Sequence, residues 1–545
     1  MNEKKTKQFK KTLVALGLSL TALYGVKAAE VDSWTEAPKG EAWDKWVMEW
    51  EEVKNDWTQL SLTPGKNETE LNFAWYAPVD LNGIPTVKIS QSLDMKDAIE
   101  FTGEATSAVE GYLSNKVTVT DLEANTTYYY IYGQDGEWSE PTVYQTQSGN
   151  QFSFIVTSDP QIGSSSKSVA AGENEPLGQD KSTRNDSFNW NHTINQALSI
   201  RKNASFMINV GDQIQTRDKQ QEQLLYTENE IEYAGYLSPL ALKSLPVATV
   251  IGNHDSPSGN YSFHFNNPNA TGLGQTMAGG GYYYSYGDAL FIIINSNSDK
   301  FDEHAQLVEE AVASHPDAKW RFIALHHDIY GSGEHSNTPS MVTMRYELVP
   351  IFEEYQIDVV FTGHDHTYTR SKVLTTATKD DFHFLTDEEF EQYFDREKAV
   401  DERYETYLDS VEDEEAIADT QVKNGVVSDP NGIIYYTLNS ASGSKYYKQV
   451  EKQQAYIESR WQENVPTFMV VDVTESSVTL KTYRTDTMEL IDESVTIEKS
   501  NQTAVDNQQD LSVTDPVVNH QSLKVGVGLV GILLVGGIII YVKKR

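Results

Sequence analysis

The chain has 545 residues, no cysteine, and 43 Lys+Arg against 80 Asp+Glu, a formal charge of −37. That length exceeds a single hydrophobic core and predicts two or three domains, while the missing thiols exclude a disulfide framework, a zinc ribbon and a cysteine nucleophile. So acidic a surface repels nucleic-acid phosphates, and no nucleic-acid partner is expected.

In chain order, the start carries Lys4, Lys5, Lys7, Lys10 and Lys11, then an apolar stretch over 13–26 and the small residues Ala28 and Ala29. This layout predicts a secretory signal peptide at 1–28. Segment 29–56 holds Trp43, Trp46 and Trp50 among charges at near-helical spacing, with Trp57 just beyond, and predicts an amphipathic helix packed on a neighbour. Over 57–147 the runs ELNFAWY, TVKIS, KVTVTDL, TYYYIYG and PTVYQT recur between turn residues, the pattern of a small all-β sandwich. Leu122 and Tyr128 have the spacing of a tyrosine corner, which resembles fibronectin type III domains.

Strand-like runs then alternate with helical or loop stretches across 150–497, predicting an α/β layered domain. Its insertion at 376–430 is acidic. Phe390, Tyr393, Phe394, Tyr404, Tyr407 and Leu408 interleave with the acids at roughly helical spacing, so it reads as helical, with a plain solvated face as the alternative. Strand-like sequence resumes with GIIYYTL, FMVVDVT and SVTLKTY. Residues 498–522 are polar and aperiodic, a linker. In 523–545 the uncharged run 525–542 precedes Lys543, Lys544 and Arg545. It predicts a C-terminal transmembrane helix with its basic tail inside and the body outside the cell membrane.

The chemistry concentrates in five polar clusters, each directly behind a run of β-branched and aromatic residues. FSFIVTS precedes Asp159 and Gln161; SFMINV precedes Gly211 and Asp212; PVATVI precedes Gly252, Asn253, His254 and Asp255. WRFIAL precedes His326, His327 and Asp328, and IDVVFT precedes Gly363, His364, Asp365 and His366. Continuous apolar runs of this length read as strands buried on both faces, so the clusters would converge at the strand ends. Oxygen and nitrogen donors without thiolate suit a pair of divalent ions. Asp212 is the natural bridging carboxylate. Asp159, Gln161 and His366 complete one metal position, and Asn253, His326 and His364 the other. His254, beside Asn253, is placed to protonate a leaving oxygen or bind the phosphoryl group.

The order DxQ, GD, GNHD, HH and GHDHTYTR resembles the calcineurin-like metallophosphoesterases, most closely the purple acid phosphatase branch with its fibronectin-like N-terminal domain. SLTPGKNETELNFAWY, GGGYYYSYGDALFIIINS and TLNSASGSKYY add to the likeness, which covers roughly 57–375 and 430–497. It implies a two-sheet β-sandwich flanked by helices, a dimetal site of manganese, iron or zinc, and hydrolysis of a small-molecule phosphate ester by activated hydroxide. It also implies that a histidine ending the strand is the ligand and that one nine residues on faces the phosphate. His326 with His335 fits this spacing; His327 then lines the pocket or is structural. Arg370, in the last motif, binds substrate anion or forms an internal ion pair.

Two residues depart from the pattern. Gln161 stands where the family commonly has histidine, and Gln215 where purple acid phosphatases have a metal-bound tyrosine, so a colourless protein is expected. The same motifs serve phosphodiesterases and nucleotide pyrophosphatases. From another class, a surface adhesin on an inactive phosphatase scaffold is the rival, disfavoured by the intact ligand set.

Overall fold

Each of the five apolar runs forms a strand, and their arrangement brings the polar clusters together. The computed structural model describes residues 40–169, 174–216, 227–377, 385–393 and 402–500. Within them, Phe152–Thr157 pairs in parallel with Phe206–Asn209, which pairs in parallel with Val247–Thr249. This row belongs to a seven-stranded sheet continued by Thr467–Val473, Ser477–Arg484, Val495–Glu498 and Val426–Ser428. A second seven-stranded sheet runs Tyr282–Tyr286, Ala289–Ile293, Trp320–Ala324, Val359–Thr362, Ile434–Thr437, Tyr368–Ser371 and Ile457–Trp461. Its middle, from Ala289–Ile293 to Ile434–Thr437, is parallel.

The two sheets face each other across an aromatic core. Phe154 stacks on Phe206 at 5.2 Å and meets Phe291 edge-on at 5.3 Å, and Phe291 stacks on Phe322 at 5.0 Å. Alternate residues serve the outer faces. Ile155 and Met207 pack with Trp190 of helix Gly178–Ile200 and with Tyr236 of helix Glu230–Leu237. Ile292 and Ile323 pack with Leu307 of helix Phe301–Ser314 and Leu348 of helix Pro339–Glu354. Burial on both faces is why these strands are apolar without alternation.

Ahead of this body lies a smaller β-sandwich. A four-stranded sheet contains Ser61–Pro64, Leu71–Pro78, Tyr112–Val119 and Glu104–Ser107; a five-stranded one is centred on Thr86–Ser90 and Thr127–Gln134. Tyr128 Oη accepts the Glu123 N–H at 2.9 Å, the bond that a tyrosine corner makes. The sandwich grips the segment just downstream of the Gly252–Asp255 cluster: Lys116 Nζ donates to the Ser262 carbonyl at 2.6 Å and Thr63 Oγ1 to that of Asn266 at 2.6 Å. Helix Glu41–Val53 docks on helix Gly178–Ile200 through Trp50 Nε1, which donates to Asp180 at 2.7 Å.

The acidic insertion is packed rather than simply solvated. Its helices Asp387–Tyr393 and Glu402–Ser410 bury Phe390, Tyr404, Tyr407 and Leu408 against Val342, Val411 and Val450. Asp413, beyond the second helix, pairs with the fully buried Arg345 at 2.8 Å.

One part of the expected fold is corrected. Among the described residues no helix is long and apolar enough to cross a membrane; what they form is a mixed α/β phosphoesterase-type fold of β-sheets and covering helices, and the expected transmembrane helix is not among those elements. The run 525–542, most of the linker and the signal segment 1–28 lie outside the described residues.

Candidate metal centre

At the C-terminal ends of the parallel strands the chain turns sharply, and the candidate ligands themselves make the turns. Asp159, Gln161, Asp212, His364 and His366 have φ of 45°, 39°, 49°, 71° and 47°. Side-chain-bearing residues avoid this region, at a cost on the order of 1–3 kcal/mol each, and such outliers gather at functional sites. Glycine makes the close approach possible. A Cβ at Gly211 would sit 2.4 Å from His326 Nδ1, and one at Gly252 would sit 2.1 Å from Asp212 Oδ1.

Asp159, Asp212 and His326 are buried and offer ligand atoms that all lie within 4.8 Å of one another. His326 donates from Nδ1 to the Val210 carbonyl at 2.9 Å, which turns Nε2 toward Asn253 Oδ1 at 3.0 Å and Asp212 Oδ1 at 3.5 Å. His366 is oriented the same way: Nδ1 donates to the Lys445 carbonyl at 2.7 Å and Nε2 lies 3.3 Å from Asp159 Oδ1. A backbone bond that fixes one ring nitrogen and presents the other is how proteins orient imidazole ligands. His364 Nδ1 lies 3.2 Å from Asn253 Oδ1, and its N–H donates to Asp159 Oδ2 at 2.9 Å. Burial, followed by crowding from His327, His326, His335 and His366, holds His364 well below the usual histidine range. It is therefore neutral, with a lone pair to donate.

The two adjacent histidines separate. His326 faces the carboxylates, whereas His327 lies beside Ser296, its Nδ1 2.9 Å from that hydroxyl. His254 bonds through Nδ1 to the Gln215 carbonyl at 2.6 Å, and its Nε2 stands 3.9 Å from Asp212 Oδ2. His335 is fixed through Nδ1 by Asp365 Oδ1 at 2.6 Å, with its ring 4.9 Å from that of His364. Arg370 takes the internal option: its Nε donates to Asp492 Oδ2 at 2.7 Å.

Whether these residues fit metal ions can be judged from what they leave unsatisfied. Asp159 Oδ1 and Gln161 Oε1 are buried and accept no hydrogen bond. A carboxylate oxygen and a carboxamide oxygen in that condition are costly unless a cation meets them. With the His366 Nε2 3.3 Å away and His326 and Asp212 in the same group, Asp159 belongs to an N/O donor set of the kind that divalent transition ions take. Asp159, Asp212 and His326 fit a metal ion, and Gln161, which departs from the family pattern, is tied to the same turn by its N–H on the Asp212 carbonyl at 2.8 Å.

The loop that closes this end entered the sequence reading only as part of the likeness, TLNSASGSKYY, with no role given to its residues. After strand Ile434–Thr437, Ser440 Oγ donates to the Asp159 carbonyl at 2.8 Å and Ser442 Oγ to the Pro160 carbonyl at 2.5 Å. Lys445 and Tyr447 follow, with the Tyr447 ring 4.7 Å from His335 and 5.1 Å from His366. The available signal was positional: Ile434–Thr437 extends the parallel row, so its end also faces the site.

Comparison with known proteins agrees with this geometry. Residues 152–368 match the calcineurin-like phosphoesterase family, and residues 57–146 match the purple acid phosphatase N-terminal domain. Purple acid phosphatase 7 of Arabidopsis thaliana is 41% identical over 49 residues, which is 9% of this chain and 14% of that protein. The structure of a purple acid phosphatase from yellow lupin (Lupinus luteus) seeds shares the fold, with a TM-score of 0.55, 14% identity, and coverage of 81% of this chain and 74% of that one. With both domains matched in order and a buried Asp–Asp–His group between the sheet ends, the chain carries a calcineurin-like phosphoesterase domain, the domain of metal-dependent phosphoester hydrolases, behind a purple acid phosphatase N-terminal domain.

Proposed function

We propose that this chain is an acid phosphatase-like monoesterase that works outside the cytoplasm. The observation that carries the catalytic part is the unsatisfied buried oxygen Asp159 Oδ1 in the group that Asp159 forms with Asp212 and His326. Asp159, Gln161, Asp212 and His366 would hold one manganese, iron or zinc ion, and Asp212, Asn253, His326 and His364 the other. Such a pair, when bound, lowers the pKa of water toward ~7 and clamps the oxygens of an in-line displacement at phosphorus.

The remaining steps fall to the chain. His254 is anchored through Nδ1, leaving Nε2 as the atom from which a proton can pass to the departing alkoxide. His335, braced by Asp365, offers its own Nε2 to a phosphoryl oxygen. Export is supported by the basic-then-apolar start of the chain.

The test is the metal-loaded protein against 4-nitrophenyl phosphate and bis(4-nitrophenyl) phosphate, with intact and lysed cells assayed in parallel. The reading expects faster monoester turnover, abolished by chelation and accessible in intact cells. Preference for the diester would assign a phosphodiesterase instead. Loaded protein that turned over neither substrate would favour a binding protein on a phosphatase scaffold.

A further inference from the structure

We propose that Lys445 and Tyr447 form a phosphate-recognition arm at this centre, in which the Lys445 ammonium takes a non-bridging phosphoryl oxygen and Tyr447 holds the ammonium in place. The inference rests on the hydrolase reading above and adds the substrate's charge state to it.

The arm is built from both ends. Its backbone is fixed to the centre, because Ser440 and Ser442 bond the carbonyls of Asp159 and Pro160 and the Lys445 carbonyl receives the His366 ring. Its side chain folds over the Tyr447 ring, with Nζ 4.3 Å from the ring centroid and hydrogen-bonded to the Tyr447 hydroxyl. The ring in turn abuts His335 and His366. A cation held against an aromatic face and a hydroxyl has lost most of a lysine's usual freedom. Among the described residues no carboxylate lies within ion-pair distance of Lys445, although it feels the field of Asp212, Asp159, Glu334 and Asp365. A half-buried ammonium that faces the centre without a direct counter-ion is suited to an anionic ligand.

Charge then decides which ester fits. Two divalent ions against the carboxylates of Asp159 and Asp212 leave the centre cationic, and Lys445 adds to that excess. A phosphomonoester dianion meets it better than a phosphodiester monoanion.

The experiment uses metal-loaded full-length protein and its Lys445→Gln, Lys445→Arg and Tyr447→Phe variants. KM for 4-nitrophenyl phosphate and kcat are measured with metal content, and inorganic phosphate binding is followed by calorimetry. Lys445→Gln is expected to raise KM and weaken phosphate binding by about tenfold each. Metal content should stay at the wild-type level, kcat should move less than KM, and the diester KM should shift less than the monoester KM. Lys445→Arg should recover part of the loss, and Tyr447→Phe should show a smaller loss of the same sign. Unchanged phosphate binding in Lys445→Gln overturns the arm. So does a loss of metal with KM unchanged, which would make Lys445 a neutraliser of the acids. If wild-type protein hydrolysed nothing yet bound phosphate through Lys445, the hydrolase reading would fail and the anion site would stand.

Discussion

Two regions of this molecule bury carboxylates, and they treat them in opposite ways. Under the acidic insertion, Asp413 meets Arg345 Nη1 at 2.8 Å and accepts the Tyr346 hydroxyl. The guanidinium also reaches the carbonyls of Ile329 at 2.5 Å and Val411 at 3.0 Å. At the strand ends, Asp159 Oδ1 accepts no hydrogen bond, and the nearest opposite partner is a histidine ring 3.3 Å away. The first arrangement carries its own cation and needs nothing further. The second is complete only when a cation arrives. Burial alone therefore does not mark a functional acid; what separates the two is which oxygens the chain leaves unanswered.

The comparison breaks most visibly at the self-sufficient pair. Asp413→Ala leaves a buried guanidinium uncompensated and should cost about 3–5 kcal/mol of stability, read by chemical denaturation. Because Arg345 also bonds Asn337 Oδ1 at 3.2 Å, in the loop that carries His335, activity should fall as well. A loss below about 1 kcal/mol would mean that the pair is already solvated.

At the centre the expectation reverses. Asp212→Asn removes charge from a site built to receive cations, so metal-free stability should hold or rise while turnover drops at least ~100-fold. A variant that unfolded, or one that kept its rate, would put Asp212 in the structural class with Asp413.

Glu232 sharpens the contrast from a third side, since it has hydrogen bonds but no cation. It receives Gln179 Nε2 at 3.0 Å and the Thr216 N–H at 3.0 Å, yet burial outweighs them and pushes its pKa up to about 8 from 4.5. The folded state then holds a proton that the unfolded chain has released. Stability from this group is full below about pH 4.5 and is lost as pH rises toward 8. Asp186, pushed up to about 7 mainly by burial, adds a second contribution of the same sign. Thermal melts of Glu232→Gln between pH 4.5 and 8 should slope less steeply than wild type. Equal slopes would show that Glu232 ionises freely in the fold.

What the sequence made legible follows from the same physics. Runs such as FSFIVTS could be assigned because burial on both faces leaves an unmistakable apolar signature, and the clusters behind them had to converge once the strands were parallel. Pairings between distant segments were not legible. Nothing near Arg370 announces that its partner is Asp492, and nothing within the insertion announces Arg345, because such contacts exist only after the sheets assemble. The choice between His326 and His327 was open for a local reason: both lie past the strand end, where alternation no longer fixes direction, and the Val210 carbonyl makes the choice. Lys445, though inside the quoted TLNSASGSKYY, was given no role because serine, glycine and tyrosine flank it instead of the acids and imidazoles that mark the other clusters.

The strand-end oxygens await cations, and metal analysis of the folded protein tests this most directly. Purified protein equilibrated with manganese, iron or zinc and then freed of excess should retain two ions per chain by elemental analysis, with a higher melting temperature than the chelated form. Asp212→Asn should lose one or both ions. Wild-type protein that retained none of the three metals and melted identically with and without them would contradict the account.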